Sequence, residues 1–191
     1  MSAITNTSDA VSFIPNKTIV IVGMMGSGKS SIGRRLAARL ALPFLDSDSE
    51  IETAAGMSVE QIFTHFGETE FRKGERRVIA RLLDRPIHVL ATGGGAFVDP
   101  ETRALIHSKA LSVWLRADIE TLLERTSRRN DRPLLKQDNP RTVMEKLLIE
   151  REPVYAEADV TVESDHRPSD ETVDRVLKAL GEFSQLNKTA S

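Results

Sequence analysis

No cysteine occurs among the 191 residues of the chain. Disulfide bonds, thiol nucleophiles and thiolate metal sites are therefore excluded, and a reducing cytosol is the compartment that fits this composition best. An excess of positive charge is also missing, since the formal net charge is −2 and the isoelectric point is near 6.1. The sequence therefore offers no basic surface for nucleic acid or for an anionic membrane.

Long apolar runs are absent as well, because no stretch approaches the roughly 20 apolar residues that a membrane-spanning helix requires. The first 17 residues contain neither a basic leader nor an apolar segment, so we expect no secretory signal. We expect residues 1–16 to form a disordered arm, residues 17–186 a single domain and residues 187–191 a mobile tail. The predicted location is the cytoplasm.

Short apolar runs alternate with helical patterns along the chain. The apolar runs are rich in β-branched residues and bounded by turn residues, which predicts strands at 18–22, 43–48, 87–92, 111–116 and 159–164. Helical patterns span residues 29–40, 58–66, 68–83, 100–108, 119–128, 140–156 and 169–186. This alternation predicts an α/β fold in which helices cover both faces of a parallel sheet.

A glycine-rich segment, GMMGSGKSS (Gly23 to Ser31), follows the first predicted strand and opens the first predicted helix. Its spacing is that of a phosphate loop in the strand–loop–helix context that such a loop requires. Glycines let backbone N–H groups turn toward an oxyanion, and the helix N-terminus adds positive potential. Lys29 would reach the β- and γ-phosphates, and Ser30 would bind Mg²⁺. A plain glycine turn before a helix is the alternative, but the flanking strand and helix favour a nucleoside triphosphate site.

Two carboxylates, Asp46 and Asp48, close the second predicted strand at the edge where open α/β sheets bind ligands. On an extended strand both side chains would point to the same side. Near Mg²⁺, one carboxylate could hold a metal-bound water and the other could accept a proton from a substrate hydroxyl. An acidic N-cap, with Asp48 preceding a helix, explains the same spacing equally well.

Three glycines and two arginines add further candidates. Gly93 to Gly95 end the third predicted strand, where consecutive glycines favour close approach of a ligand over a bare flexible turn. Arg72 lies three residues before Glu75, and Arg151 lies near the end of a predicted helix. A guanidinium pairs with a carboxylate through two parallel hydrogen bonds. A single arginine on an amphipathic helix is, however, more often solvated surface.

Six segments together resemble the shikimate kinase family in order and spacing: GMMGSGKSSIGRRLA, LDSD, IFTHFGETEFR, TGGGA, RPLL and REPVY. The resemblance covers residues 17–180 approximately, and only the first segment is general to phosphate-loop proteins. It implies a three-layer α/β/α fold like that of nucleoside monophosphate kinases, with a five-stranded parallel sheet in the order 2-3-1-4-5. It also implies a substrate-binding helical region at about 47–83 and a mobile lid at about 127–139.

The activity that this resemblance implies is Mg²⁺-dependent transfer of the ATP γ-phosphate to the 3-hydroxyl of shikimate, on the path to chorismate and the aromatic amino acids. The residues implied to bind the ATP phosphates are Gly26, Ser27, Gly28, Lys29, Ser30, Ser31 and the lid residue Arg132. The residues implied to bind shikimate are Asp48, Arg72, Gly93, Gly94, Gly95 and Arg151.

The resemblance further implies that Mg²⁺ is bound by Ser30 and, through water, by Asp46. The residues implied to be catalytic are Lys29, Asp48 and Arg132. Glu75 is expected to orient Arg72, and the adenine contact is left open between Arg125 and Arg167.

Two other functions remain as alternatives. Another small-molecule kinase of the same architecture, such as a gluconate kinase, would keep the phosphate loop. Such a kinase would not be expected to need the combination of two aspartates, three glycines and two arginines at its acceptor site. A nucleotide-gated binding module would keep Lys29 but would not need a hydroxyl-orienting Asp48. We expect a monomer that binds shikimate and ATP, and neither nucleic acid nor a membrane.

Overall fold

A five-stranded parallel sheet organises the part of the chain that the computed structural model describes, residues 13–127 and 139–189. The strands are β1 (Thr18–Val22), β2 (Phe44–Asp46), β3 (Val89–Ala91), β4 (Ala110–Arg116) and β5 (Val160–Glu163). Their order is β2-β3-β1-β4-β5, and every neighbouring pair is parallel. The predicted sheet and its order are confirmed.

Seven helices occur in these described ranges. They are α1 (Lys29–Arg39), α2 (Ser47–Ala55), α3 (Val59–Leu83), α4 (Pro100–Lys109), α5 (Ile119–Ser127), α6 (Pro140–Tyr155) and α7 (Ser169–Thr189). Local sequence fixes several of their starts. Ser58 and Gln61 form a reciprocal capping box at α3, and Asp99 caps α4 just before Pro100.

Apolar side chains of β1 alternate between two cores, one on each face of the sheet. Val20 and Val22 contribute to the core beneath α3, α4, α5 and α6, whereas Ile19 and Ile21 contribute to the core beneath α1 and α7. All five residues of β1 are buried. A strand buried on both faces reads as a continuous apolar run, which is why TIVIV was recognisable in the sequence.

Helix α3 contains a break at Gly67, whose φ of 78° and ψ of 172° are not helical. This backbone region is accessible essentially only to glycine. The break confirms the predicted separation between helical patterns 58–66 and 68–83. Across it, the rings of Phe63 and Phe71 lie with their centroids 4.4 Å apart. Phe71 also joins Ile51 and Ile62 in a small third core, which holds α2 against α3.

Some boundaries differ from those predicted. The residue pattern predicted no separate helix at 47–55, although the family resemblance implied a helical region from about residue 47. Helix α2 begins at Ser47, so Asp48 lies in a helix and not in a strand. Helix α7 begins at Ser169 itself, predicted to be its cap, and continues past the predicted end at Leu186 to Thr189. Phe13, within the predicted arm, packs against the core beneath α1 and α7.

Most of the predicted arm and lid, residues 1–12 and 128–138, lie outside the described residues, and so does Arg132. Within the described ranges, no helix combines the length and apolar character needed to cross a membrane.

Candidate active site

Three chain segments meet at the carboxyl edge of the sheet. The phosphate loop follows β1, helix α2 follows β2 and the triglycine segment, Gly93 to Gly95, follows β3. Because β1, β2 and β3 are parallel neighbours, the segments that follow them emerge at the same edge. This topology assembles the candidate site.

The phosphate loop has the conformation that its glycines predict. Gly26 and Gly28 have positive φ values of 83° and 94°, and Gly28 is the N-cap of α1. The Lys29 ammonium is largely buried and donates to the carbonyls of Gly23 at 2.9 Å and Met24 at 2.8 Å. The loop thus carries a cation beside backbone N–H groups at a helix N-terminus, which is an anion-binding arrangement.

Asp46 connects the phosphate loop to α2. Its Oδ2 accepts a hydrogen bond from the Ser30 hydroxyl at 2.6 Å, and its Oδ1 accepts one from the Asp48 backbone N–H at 3.1 Å. The alternation predicted for Asp46 and Asp48 on one strand is wrong. An aspartate does cap a helix here, as the alternative interpretation predicted, but the capping residue is Asp46 and not Asp48. Ser47 then accepts a hydrogen bond from the Gly93 N–H at 3.1 Å, which ties α2 to the triglycine segment.

Arg72 is oriented by Glu75, as predicted. Its Nη1 donates to Glu75 Oε2 at 2.6 Å, while its Nη2 lies 3.3 Å from the exposed Glu68 carboxylate. The guanidinium packs directly against Gly95, where an added Cβ would collide with it. Glu75 is buried at 2% exposure, and this burial raises its pKa above the ordinary range while Arg72 opposes that rise.

Gly93 lies between two carboxylates. A Cβ added there would be 2.8 Å from Asp48 Oδ1 and 2.9 Å from Glu75 Oε1. At the next glycine, Arg151 Nη1 lies 3.4 Å from the Gly94 carbonyl oxygen. The glycines therefore let carboxylates and guanidinium groups approach one stretch of backbone closely.

Two clefts adjoin at this edge, each of about 390 Å³. The first contains the phosphate loop, and the second contains Arg72, Glu75 and Arg151. Both are lined by the same five residues, Ser30, Asp46, Asp48, Gly93 and Gly94. Ligands in the two clefts would therefore lie side by side across a shared polar wall.

The predicted site residues divide between these clefts. The first cleft is lined by Gly26, Gly28, Lys29, Ser30 and Ser31, whereas Ser27 is fully buried. The second cleft is lined by Asp48, Arg72, Gly93, Gly94, Gly95 and Arg151.

Both arginines considered for adenine line the first cleft. Arg125 donates to Ser164 Oγ at 3.0 Å and to the Asp165 carbonyl, which fixes its guanidinium beside the phosphate loop. Arg167 is mostly exposed and pairs with the Asp165 carboxylate at 3.4 Å. The two side chains therefore reach the same cleft from different elements.

Sequence reasoning missed other contributors. Phe63 and Phe71 give the second cleft an apolar wall, and their positions on either side of Gly67 were the available signal. Ser164, at the end of the predicted fifth strand, donates to the Ser27 carbonyl at 2.7 Å and supports the phosphate loop from below. Nothing in the sequence around this serine indicates a contact with the phosphate loop.

A phosphate loop at the carboxyl edge of a 2-3-1-4-5 parallel sheet, with an acceptor cleft beside it, defines a P-loop kinase of small molecules. A family model described as shikimate kinase matches residues 25–181. The chain belongs to the shikimate kinase family. This membership favours shikimate kinase over the gluconate kinase and the binding module considered as alternatives.

Individual relatives agree with this assignment. A protein named shikimate kinase from Paramagnetospirillum magneticum is 57% identical over 173 residues, covering 91% of this chain and 89% of that protein. A shikimate kinase from Caulobacter vibrioides strain NA1000 is also 57% identical, covering 91% of this chain and 86% of that protein. A solved structure of shikimate kinase from Acinetobacter baumannii in complex with shikimate superposes with a TM-score of 0.84 at 38% identity, covering 87% and 93% of the two chains.

Proposed function

We propose that this chain transfers the γ-phosphate of ATP to the 3-hydroxyl of shikimate, giving shikimate 3-phosphate and ADP. The observation that carries the proposal is the shared wall between the two clefts. Direct transfer requires the donor phosphate and the acceptor hydroxyl to lie in line and in contact. Clefts that share Asp48 and Gly94 satisfy that requirement without a large movement of either ligand.

Shikimate recognition rests on charge in the second cleft. Arg72 and Arg151 both line it, and two guanidinium groups suit a planar carboxylate. Glu75 occupies one edge of the Arg72 guanidinium, which fixes the plane that the substrate meets. The glycines of the triglycine segment would lie against the ring substituents, where side chains would leave no room.

Mg²⁺ suits the wall between the clefts. Ser30 Oγ and Asp46 Oδ2 lie 2.6 Å apart, and both are hard oxygen donors at the phosphate loop. Mg²⁺ in kinase sites takes only one or two protein oxygens and completes its shell with phosphates and water. We assign Ser30 as a direct ligand and Asp46 as a partner of a bound water. When bound, the ion would neutralise charge on the β- and γ-phosphates.

In the transfer step, the acceptor oxygen forms a bond to the γ-phosphorus as the bond to the β,γ-bridging oxygen breaks. Lys29 would leave the carbonyls of Gly23 and Met24 to contact the phosphates, placing its charge where negative charge develops. Asp48 would accept the hydrogen bond of the 3-hydroxyl, direct its lone pair toward phosphorus and take up its proton as the new O–P bond forms. Arg132, outside the described residues, is proposed from the family resemblance to add a further cation.

An ADP-release assay with three acceptor conditions tests this function. We expect ADP formation with shikimate and only background rates with gluconate or without an acceptor. Asp48→Asn keeps the size of the side chain but loses its charge, so kcat should fall on the order of 100-fold or more while ATP binding persists. ADP release that ignores shikimate in the wild-type enzyme would contradict the proposal.

We also propose that the enzyme acts as a cytoplasmic monomer. The support for the compartment is the absence of cysteine from the sequence. Light scattering coupled to size-exclusion chromatography would measure the oligomeric state directly.

A further inference from the structure

The only tyrosine of the chain, Tyr155, is buried beneath the candidate site. It is the last residue of α6, and its ring lies against that of Trp114 with the centroids 5.8 Å apart. Its exposure is 0%, and its hydroxyl donates a hydrogen bond to the Gly94 carbonyl oxygen. A core tyrosine usually needs an acceptor for its hydroxyl, and here the acceptor belongs to the wall shared by both clefts.

Gly94 is held from two further directions. A Cβ added at Gly94 would lie 3.3 Å from the Met25 backbone nitrogen, so the phosphate loop packs closely against it. Arg151, one helical turn before Tyr155 on α6, approaches the same carbonyl oxygen at 3.4 Å. One helix thus supplies a side chain that lines the acceptor cleft and a buried donor to the backbone of that cleft.

We infer that Tyr155 is a positioning residue for the acceptor: its hydroxyl fixes the Gly94 peptide plane against which shikimate binds. A trans peptide is planar, so holding the Gly94 carbonyl also sets the direction of the Gly95 N–H, which points the opposite way. Tyr155 itself lines neither cleft and acts through Gly94 and through the neighbouring Arg151 side chain, with which it also interacts. This role rests on the proposed shikimate kinase activity.

Tyr155→Phe tests the inference because it keeps the ring against Trp114 and removes only the hydroxyl. The Gly94 carbonyl would lose a buried donor, and the acceptor wall would loosen. We expect the KM for shikimate to rise about tenfold, while the KM for ATP changes less than about twofold and kcat less than about threefold.

Thr102→Val is the matched control. It also removes one buried hydroxyl, which donates to Asp99 Oδ2 at 2.8 Å at the start of α4, away from both clefts. It should lower the melting temperature without changing the shikimate KM. A purely structural role for Tyr155 predicts the same pattern for Tyr155→Phe.

Failure of this inference differs from failure of the proposed function. If wild-type enzyme does not use shikimate, the function is wrong; if it does and Tyr155→Phe keeps the wild-type shikimate KM, only the inference is wrong. Should Tyr155→Phe not fold, uniform 3-fluorotyrosine labelling of the wild-type chain places one ¹⁹F probe at Tyr155. Saturating shikimate should then shift that resonance, and an unmoved resonance would overturn the inference.

Discussion

Arg72 illustrates how one residue obtains its role from its neighbours. Its guanidinium donates to the buried Glu75, lies near the exposed Glu68 and packs on Gly95. An arginine held in this way loses little conformational freedom when it meets a carboxylate, so more of the interaction energy appears as affinity.

Arg72→Ala should therefore remove transition-state stabilisation of about 2–4 kcal/mol for shikimate. ATP kinetics should change little, because Arg72 lines only the second cleft. Arg76→Ala is the control on the same helix, since Arg76 pairs with Asp99 and Glu101 instead. Steady-state rates at saturating ATP and varied shikimate measure the effect, and near-normal shikimate kinetics for Arg72→Ala would rule out the clamp.

At the residue scale, the sequence predicted contacts between residues that are close in the chain and not those between distant residues. The phosphate loop is contiguous, and Arg72 and Glu75 are helical neighbours, so both were readable from spacing. Tyr155 and Gly94 are separated by 61 residues, and no local pattern links them. The geometry of Asp46 and Asp48 depended on whether a strand or a helix followed, which their spacing alone left open.

Among the elements, helix α3 depends on its break at Gly67. The helix before the break carries Phe63, and the helix after it carries Phe71 and Arg72, all of which line the acceptor cleft. A side chain with a Cβ does not readily adopt the Gly67 conformation, so this residue sets the relative direction of the two halves.

Gly67→Ala should reduce the free energy of unfolding by about 1–3 kcal/mol and raise the KM for shikimate. Gly74→Ala, in the helical part of α3 with open space at its Cβ position, should instead stabilise the protein by up to about 1 kcal/mol. Urea unfolding of both variants gives the comparison. The same stability change in the two would mean that the break is not strained for alanine.

The elements that sequence reasoning found were those with strong local patterns. Strand β1 was predicted to the residue, because its run of apolar residues is buried on both faces. The residue pattern did not predict helix α2, because its acidic sequence resembles a strand end followed by a turn; only the family resemblance implied a helical region there. It forms through the Asp46 cap and through burial of Ile51 against α3, and the second of these is a tertiary contact.

Across the whole molecule, acid stability should depend on His88, which lies at the opposite edge of the sheet from the clefts. It is 1% exposed, its Nδ1 lies 2.8 Å from the Pro86 carbonyl, and its Nε2 has no hydrogen-bond partner among the described residues. Burial lowers the pKa of His88 below the usual 6.5. The folded state then binds fewer protons than the unfolded state at mildly acidic pH.

The free energy of unfolding should therefore be fully retained above pH 6.5 and decline as the pH falls below it. His88→Asn keeps a donor near the Nδ1 position and does not titrate, so its stability should fall less over this window. Urea unfolding at about pH 7.5 and about pH 5.5 measures the difference between the two proteins. Equal declines would assign the loss to other groups.

The two clefts are formed by different parts of the chain. Most of the acceptor cleft comes from the single stretch of 47–83, which lies between β2 and β3, whereas the phosphate loop and the arginines of the nucleotide cleft lie elsewhere. We expect mutations in that stretch, away from Asp48, to alter which alcohol is accepted while ATP binding persists. Asp48 is the exception because it lines both clefts. Within this architecture, we expect new acceptor preferences to arise mainly from changes within residues 47–83, beside the contributions of Gly93 to Gly95 and Arg151.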